Sequence, residues 1–97
     1  MVKHVILWQL KEGVDKEEVK VNAKNALESL FGKIDGLLSV KVNIAGLPSS
    51  NADMMLDTSF TDYDALKAYA VHPEHVKVAD TFVRPFTANR VCLDYEE

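Results

Sequence analysis

The stretch VKHVILWQL, residues 2–10, decides the fold. Its Val, Ile, Leu and Trp residues are typical of a β-strand, whose successive side chains point to opposite faces. One face has His4, Ile6, Trp8 and Leu10, and the other has Val5 and Leu7. Both faces are largely apolar, whereas a strand open to water on one side alternates apolar and polar residues. We therefore predict that this strand is covered on both faces.

A long amphipathic helix is predicted after this strand. Asp15 can cap it, Glu18 completes a box-like start, and Gly36 ends it. Apolar residues recur at helical spacing along it. They are Val19, Ala23, Ala26, Leu27, Leu30, Phe31 and Ile34.

Three more strands and a second helix complete the predicted order. The first is LLSVKVNIAG, residues 37–46, with an apolar face of Leu38, Val40, Val42 and Ile44. The second is DMMLDTSF, residues 53–60, with Met54, Leu56, Thr58 and Phe60 on one face. The third is TANRVCLDYE, residues 87–96, with Val91, Leu93 and Tyr95 on one face. The second helix spans residues 62–71, with Thr61 and Asp64 as its capping residues.

The resulting βαββαβ order predicts a ferredoxin-like α+β domain with a four-stranded antiparallel sheet. A chain of 97 residues is sufficient for one domain, residues 1–97. Helices cover only one face of such a sheet, and Val5 and Leu7 lie on the other. We expect that face to pair with a second copy in a homodimer, a dimeric α/β barrel.

The composition argues against several classes of partner. The net charge is −4 and the eleven basic residues are scattered, so no basic patch for nucleic acid or an anionic membrane is visible. Cys92 is the single cysteine and has no disulfide partner within the chain. The apolar run at the start lacks a cleavage site, and no stretch reaches the ~20 apolar residues of a membrane span. We expect a cytoplasmic protein.

The stretch AYAVHPEHV, residues 68–76, predicts a helix break followed by a restart. Proline disfavours helical geometry in the preceding residue, so His72 should be extended. Pro73 suits the first position of a new helix, and Glu74 suits its first turn. His72 and His75 should therefore diverge. The H-E-x-x-H pattern is absent, and we predict no metal site and no cofactor.

His75 is the candidate for chemistry, because in the restarted helix it shares a face with Ala79, Phe82 and Phe86, directed toward the sheet. A histidine in the first turn should stay neutral and able to accept a proton. The Tyr69 hydroxyl can donate to a substrate oxygen, and His4 can orient the base or the ligand. A buried histidine is more often structural, so both roles stay open.

Three segments together resemble the stress-responsive dimeric α/β barrel family. They are VKHVILWQLK (2–11), DALKAYAVHPEHVKVADTFVRPF (64–86) and VCLDYE (91–96). The resemblance implies a βαββαβ domain that dimerises through its sheets, and it leaves the reaction open because most of this family has no assigned one. Some relatives hold a cation on backbone carbonyls after the first helix, where this chain has FGKIDGLL (31–38).

One branch of the family, the plant polyketide cyclases, performs an intramolecular aldol condensation. The resemblance implies His75 as base, Tyr69 as donor to the carbonyl oxygen and His4 as a supporting hydrogen-bonding residue. Trp8 and Phe82 are large enough to fill the cavity.

Three hypotheses follow, and whether the protein is an enzyme is open. The first is a pocket for a hydrophobic or aromatic small molecule between sheet and helices, with proton abstraction by His75. The second is a structural or assembly protein in which His4, Tyr69 and His75 hydrogen-bond one another across a filled core. The third is a cofactor-free or haem-linked monooxygenase of the wider superfamily, with His72 or His75 as an axial ligand.

Overall fold

The computed structural model describes residues 1–97 as four strands and three helices. The elements are β1 (Val2–Leu10), α1 (Lys16–Glu28), β2 (Leu37–Asn43), β3 (Met54–Phe60), α2 (Tyr63–Val71), α3 (Pro73–Val78) and β4 (Thr87–Glu96). A π-helical turn (Ala79–Val83) and a 3-10 turn (Arg84–Phe86) join α3 to β4. This is the predicted βαββαβ order, with the second helical segment divided at the HPEH sequence.

The sheet is antiparallel and its strand order is β2-β3-β1-β4. The helices pack on one face, which we call the inner face. There the predicted apolar side of β1 is buried, including Ile6 and Trp8, together with Met54 and Leu56 of β3. The ferredoxin-like α+β fold is therefore confirmed.

The first helix begins as predicted and ends earlier. The Asp15 side chain accepts a hydrogen bond from the backbone N–H of Glu18 at 3.1 Å. The helix ends at Glu28 rather than near Gly36, because turns that place Gly32 and Gly36 in the left-handed region follow it. Those turns keep most of the predicted apolar stripe buried but leave Phe31 exposed.

The predicted apolar face of β2 is wrong at the start of the strand. Leu37 is buried and Leu38 is exposed, because the pairing register with β3 shifts between Leu37 and Ser39. Such a bulge reverses which side chains face the core. The predicted cap of α2 is also wrong. Asp62, rather than Thr61 or Asp64, caps this helix and accepts from the backbone N–H of Ala65 at 2.8 Å.

The second face of the sheet, which we call the outer face, is open in a single chain. It carries the exposed apolar side chains of Leu7, Val91, Leu93 and Tyr95 on the neighbouring strands β1 and β4. No helix has the length and apolar character needed to cross a membrane.

Candidate functional site

The break between α2 and α3 positions His75. His72 is extended (φ −66°, ψ 133°), and its Nδ1 accepts a hydrogen bond from the backbone N–H of Glu74 at 3.1 Å. Pro73 is the first residue of α3. The predicted helix restart is confirmed, and His72 is the cap of the new helix.

His75 packs against Tyr69 across this break. The two ring centroids are 4.2 Å apart, and Nδ1 of His75 lies 3.3 Å from the carbonyl oxygen of Ala70. Because a carbonyl only accepts, Nδ1 carries the proton and Nε2 is left as the acceptor. Burial lowers the pKa of His75, and the positive charges of Arg84 and Arg90 act in the same direction. The side chain is therefore neutral near pH 7, chiefly through burial rather than through the helix dipole.

Tyr69 lies at the centre of an aromatic cluster. Its side chain is 1% exposed, and its ring centroid lies 5.0 Å from that of Phe60 and 6.2 Å from that of His4. The hydroxyl is buried without a hydrogen-bond partner within the chain. An unpaired buried hydroxyl costs about 1–3 kcal/mol, which makes this atom the exception that requires an explanation. Burial also raises the pKa of Tyr69, so the hydroxyl stays protonated and able to donate.

His4 has a carboxylate partner, Asp94, which is not among the residues predicted for the site. Its Nδ1 lies 2.5 Å from Oδ1 of Asp94, the register partner of His4 on β4, and the residue is 8% exposed. Nδ1–H donates to the carboxylate, which again leaves Nε2 as the acceptor. The signal was available, because Val91, Leu93 and Tyr95 on the outer face place Asp94 on the inner one.

These three residues line one cavity of about 170 Å³ between the sheet and the helices. Its volume is comparable with that of an apolar cavity of about 150 Å³ that takes up benzene. Trp8 forms part of the wall, whereas Phe82 is not among the lining residues. Most of the other walls are apolar, and the polar remainder is Arg84, Thr87 and Arg90. The structure thus brings His4, Tyr69 and His75 together, as the sequence predicts.

One group of side chains has the donor types of a metal site. His4, Cys92 and Asp94 offer a nitrogen, a sulfur and an oxygen that lie within 4.8 Å of one another. Two ligands at about 2.0 Å from a tetrahedral zinc ion are about 3.3 Å apart. The 2.5 Å between Nδ1 of His4 and Oδ1 of Asp94 is instead the separation of a hydrogen-bonded pair. The arrangement is therefore an aspartate–histidine pair with a neighbouring thiol, whose pKa burial raises.

Comparison with known proteins places the chain in a family. The family model described as the stress responsive A/B barrel domain matches residues 2–97. An uncharacterized protein of Streptomyces coelicolor is 34% identical over an alignment of 99 positions, which covers 99% of each chain.

Solved structures extend this comparison. A dimeric protein of unknown function with a ferredoxin-like fold from Bacteroides fragilis has a TM-score of 0.91 at 32% identity, covering 99% of this chain and 95% of that one. A hydroxynitrile lyase from Passiflora edulis has a TM-score of 0.80 at 14% identity, covering 97% and 90%, and this likeness shows the fold alone. The chain belongs to the stress responsive A/B barrel domain family.

Proposed function

We propose that this protein binds a small carbonyl compound in the cavity of His4, Tyr69 and His75 and catalyses proton transfer on it without a cofactor. The unpartnered, buried hydroxyl of Tyr69 carries the proposal. A carbonyl oxygen held at this cavity would supply the missing acceptor, and the apolar walls would bind the rest of the molecule.

In the proposed reaction, His75 removes a proton from the carbon next to the carbonyl. Its Nε2 accepts the proton, the electron pair of the C–H bond forms a carbon–carbon double bond, and the π pair of the carbonyl moves to its oxygen, which gives an enolate. Tyr69 donates its hydrogen bond to that oxygen, where the negative charge develops. The contact between the Tyr69 and His75 rings supports this division of roles, since donor and base must act on neighbouring atoms.

His4 is assigned a supporting role. Asp94 holds its Nδ1, so Nε2 is free to accept a hydrogen bond from a hydroxyl or an enol of the ligand. The aspartate–histidine pair leaves Nε2 of His4 as a hydrogen-bond acceptor, and the proton taken up by Nε2 of His75 returns to the compound from that same atom.

The structural alternative requires hydrogen bonds that the chain does not form. His4, Tyr69 and His75 do not hydrogen-bond one another, because His4 pairs with Asp94, His75 with the carbonyl of Ala70, and Tyr69 with no group. The pocket hypothesis is preferred on this ground. The monooxygenase hypothesis stays untested.

We also propose that the outer face pairs two copies into a homodimer. The exposed apolar side chains of β1 and β4 form one continuous patch, lined by Val5, Leu7, Val91, Leu93 and Tyr95. Beside it, Lys3 forms an ion pair with Asp57 at 2.5 Å. A charged pair at the border of an apolar patch favours one register of association. The relative from Bacteroides fragilis is described as dimeric, which supports the proposal.

The pocket proposal is tested by following the three histidine ring signals by NMR while aromatic β-diketones are added. Signals of His4 and His75 should shift together and that of His72 should not, because its side chain caps a helix outside the cavity. The protein should also accelerate exchange of the α-protons of the diketone for deuterium. If no compound moves His4 or His75, the cavity is not a binding site.

The Tyr69→Phe variant distinguishes an effect of the hydroxyl on ligand binding from an effect on folding. The variant should bind the diketone about tenfold more weakly, because it lacks the hydroxyl that meets the carbonyl oxygen. Its free energy of unfolding should be unchanged or higher by about 1 kcal/mol, since an unpaired buried group has been removed. A large loss of stability would show that the hydroxyl has a structural partner, which contradicts the proposal.

A further inference from the structure

The polar part of the cavity wall has only cationic and neutral groups. Arg84 and Arg90 line it, and no Asp or Glu does, although the chain has fifteen acidic residues and a net charge of −4. Asp80 pairs with Arg84 and Asp94 pairs with His4, so both carboxylates lie just behind the wall. An arginine at the wall that has no carboxylate partner remains a binding group for an anion.

Arg90 has no ion-pair partner in the chain. It lies on the inner side of β4 opposite Trp8, and no carboxylate is within 4.0 Å of its guanidinium. Arg84 lies in the 3-10 turn, and its Nη1 is 2.5 Å from Oδ1 of Asp80, so its other N–H groups remain available. A guanidinium has five N–H donors in a planar fork that matches a carboxylate. Arg90 is thus an exposed guanidinium at the wall of the cavity, beside the Cys92 thiol and without a carboxylate partner.

The two arginines are close enough to influence the proposed base. After burial, their charges are among the causes that lower the pKa of His75. An anion bound between them would lie within the same electrostatic reach of Tyr69 and His75. Thr87, which also lines the cavity, offers a neutral hydroxyl on the strand that carries Arg90.

The pairing register of β1 with β4 places Arg90 at a distance from His4 along the cavity. Trp8 pairs with Arg90 and His4 pairs with Asp94, so the two levels are four residue steps, or about 13 Å of backbone, apart along the strand. The long side chain of Arg90 spans part of that distance. A ligand that meets both ends must carry its anionic group several bonds away from the group that contacts Tyr69.

We propose that the cavity takes a keto acid, with its carboxylate held by Arg90 and Arg84 and its ketone oxygen accepting from Tyr69. This inference rests on the proposed function and names its substrate class. The carboxylate sets the position of the chain, and the apolar walls of the cavity receive the carbons between the two polar groups. The ketone is then directed to Tyr69, with its neighbouring C–H bond toward His75.

The test compares 4-oxo-4-phenylbutanoate with its primary amide, which has the same shape and no charge. Dissociation constants are measured by calorimetry for the wild type, Arg90→Gln and Lys67→Gln. Lys67 is exposed on α2 and does not line the cavity, so Lys67→Gln makes the same change of charge elsewhere. The wild type and Lys67→Gln should bind the acid about tenfold more tightly than the amide. In Arg90→Gln the preference should fall to about threefold or less, because only Arg84, already paired with Asp80, remains to meet the carboxylate.

Equal binding of acid and amide by the wild type, weakened for both by Tyr69→Phe, would overturn the keto acid and leave the proposed function standing. Binding of neither, with no shift of His4 or His75, would overturn both. Loss of the preference in Lys67→Gln as well as in Arg90→Gln would show a general effect of net charge and would overturn the role of Arg90. Circular dichroism of the variants confirms that each is folded.

Discussion

Nδ1 of His4 lies 2.5 Å from Oδ1 of Asp94, and the two residues are register partners in the β1–β4 pair. The contact determines the tautomer of the histidine, because the carboxylate can only accept a hydrogen bond. His75 reaches the same state through the carbonyl of Ala70. Both histidines of the cavity therefore carry the proton on Nδ1 and offer Nε2, the state that a ligand or a proton transfer requires.

Asp94→Ala should change the tautomer of His4. Without the carboxylate, nothing holds the proton on Nδ1, and a population with the proton on Nε2 should appear in long-range proton–nitrogen NMR spectra. The free energy of unfolding should fall by about 1 kcal/mol, since a buried imidazole loses its partner. Asp64→Ala, in an exposed ion pair with Lys67, should cost about 0–0.5 kcal/mol. An unchanged His4 spectrum in Asp94→Ala would refute the assignment.

The pH dependence of stability should contain a contribution from His75. Burial lowers its pKa in the folded chain below the ordinary value of 6.5, so between the two values the unfolded chain binds more protons than the folded one. Stability from this residue is therefore complete above about pH 6.5 and falls as the pH decreases toward the folded pKa, below which it becomes constant.

Urea unfolding at a series of pH values tests this sign. The wild type should lose stability relative to His75→Gln as the pH falls below about 6.5. Lys67→Gln replaces an exposed side chain outside the cavity, and its curve should follow that of the wild type. Parallel curves for the wild type and His75→Gln would contradict a lowered pKa for His75.

Gly36 holds α2, and with it Tyr69, close to the end of the α1–β2 connection. Its φ is +83°, a Cβ there would lie 2.6 Å from Cβ of Ala65, and its carbonyl accepts from the backbone N–H of Thr61 at 3.0 Å. Gly32 has a similar φ of +85° with no atom within 4 Å of a Cβ. Gly36→Ala should therefore cost about 2–4 kcal/mol and Gly32→Ala about 1 kcal/mol in chemical denaturation. Equal losses would show that the contact with Ala65 is unimportant.

The fold was predictable where side-chain pattern alone specifies an element. The two apolar faces of β1 and the alternation of β3 indicate strands without knowledge of their neighbours. The early end of α1 and the bulge between Leu37 and Ser39 depend on how β2 reaches β3, which is a tertiary constraint. The same holds for the cap of α2, where Thr61, Asp62 and Asp64 were all available and only the path of the chain selects Asp62.

The sequence predicts that His4, Tyr69 and His75 point to one layer of the fold, and it does not predict their hydrogen-bond partners. Spacing in the restarted helix places His75 toward the sheet, where it meets Tyr69. The partnership of His4 with Asp94 needs the β1–β4 register, which a single sequence does not specify. The missing partner of the Tyr69 hydroxyl is a property of three-dimensional packing, and no sequence pattern indicates it.

Leu93→Lys should convert a dimer into a monomer. Leu93 is 64% exposed on the outer face, beside Val5 on β1, and a charge there would be buried against the apolar patch of a second copy. Sedimentation equilibrium should give a dimer for the wild type and a monomer for the variant. Val71→Lys is the control, because Val71 is 75% exposed at the end of α2 in the helical layer, and it should remain dimeric. A monomeric wild type, or a dimeric Leu93→Lys, would exclude the outer face as the interface, and its exposed leucine, valine and tyrosine side chains would then need another partner.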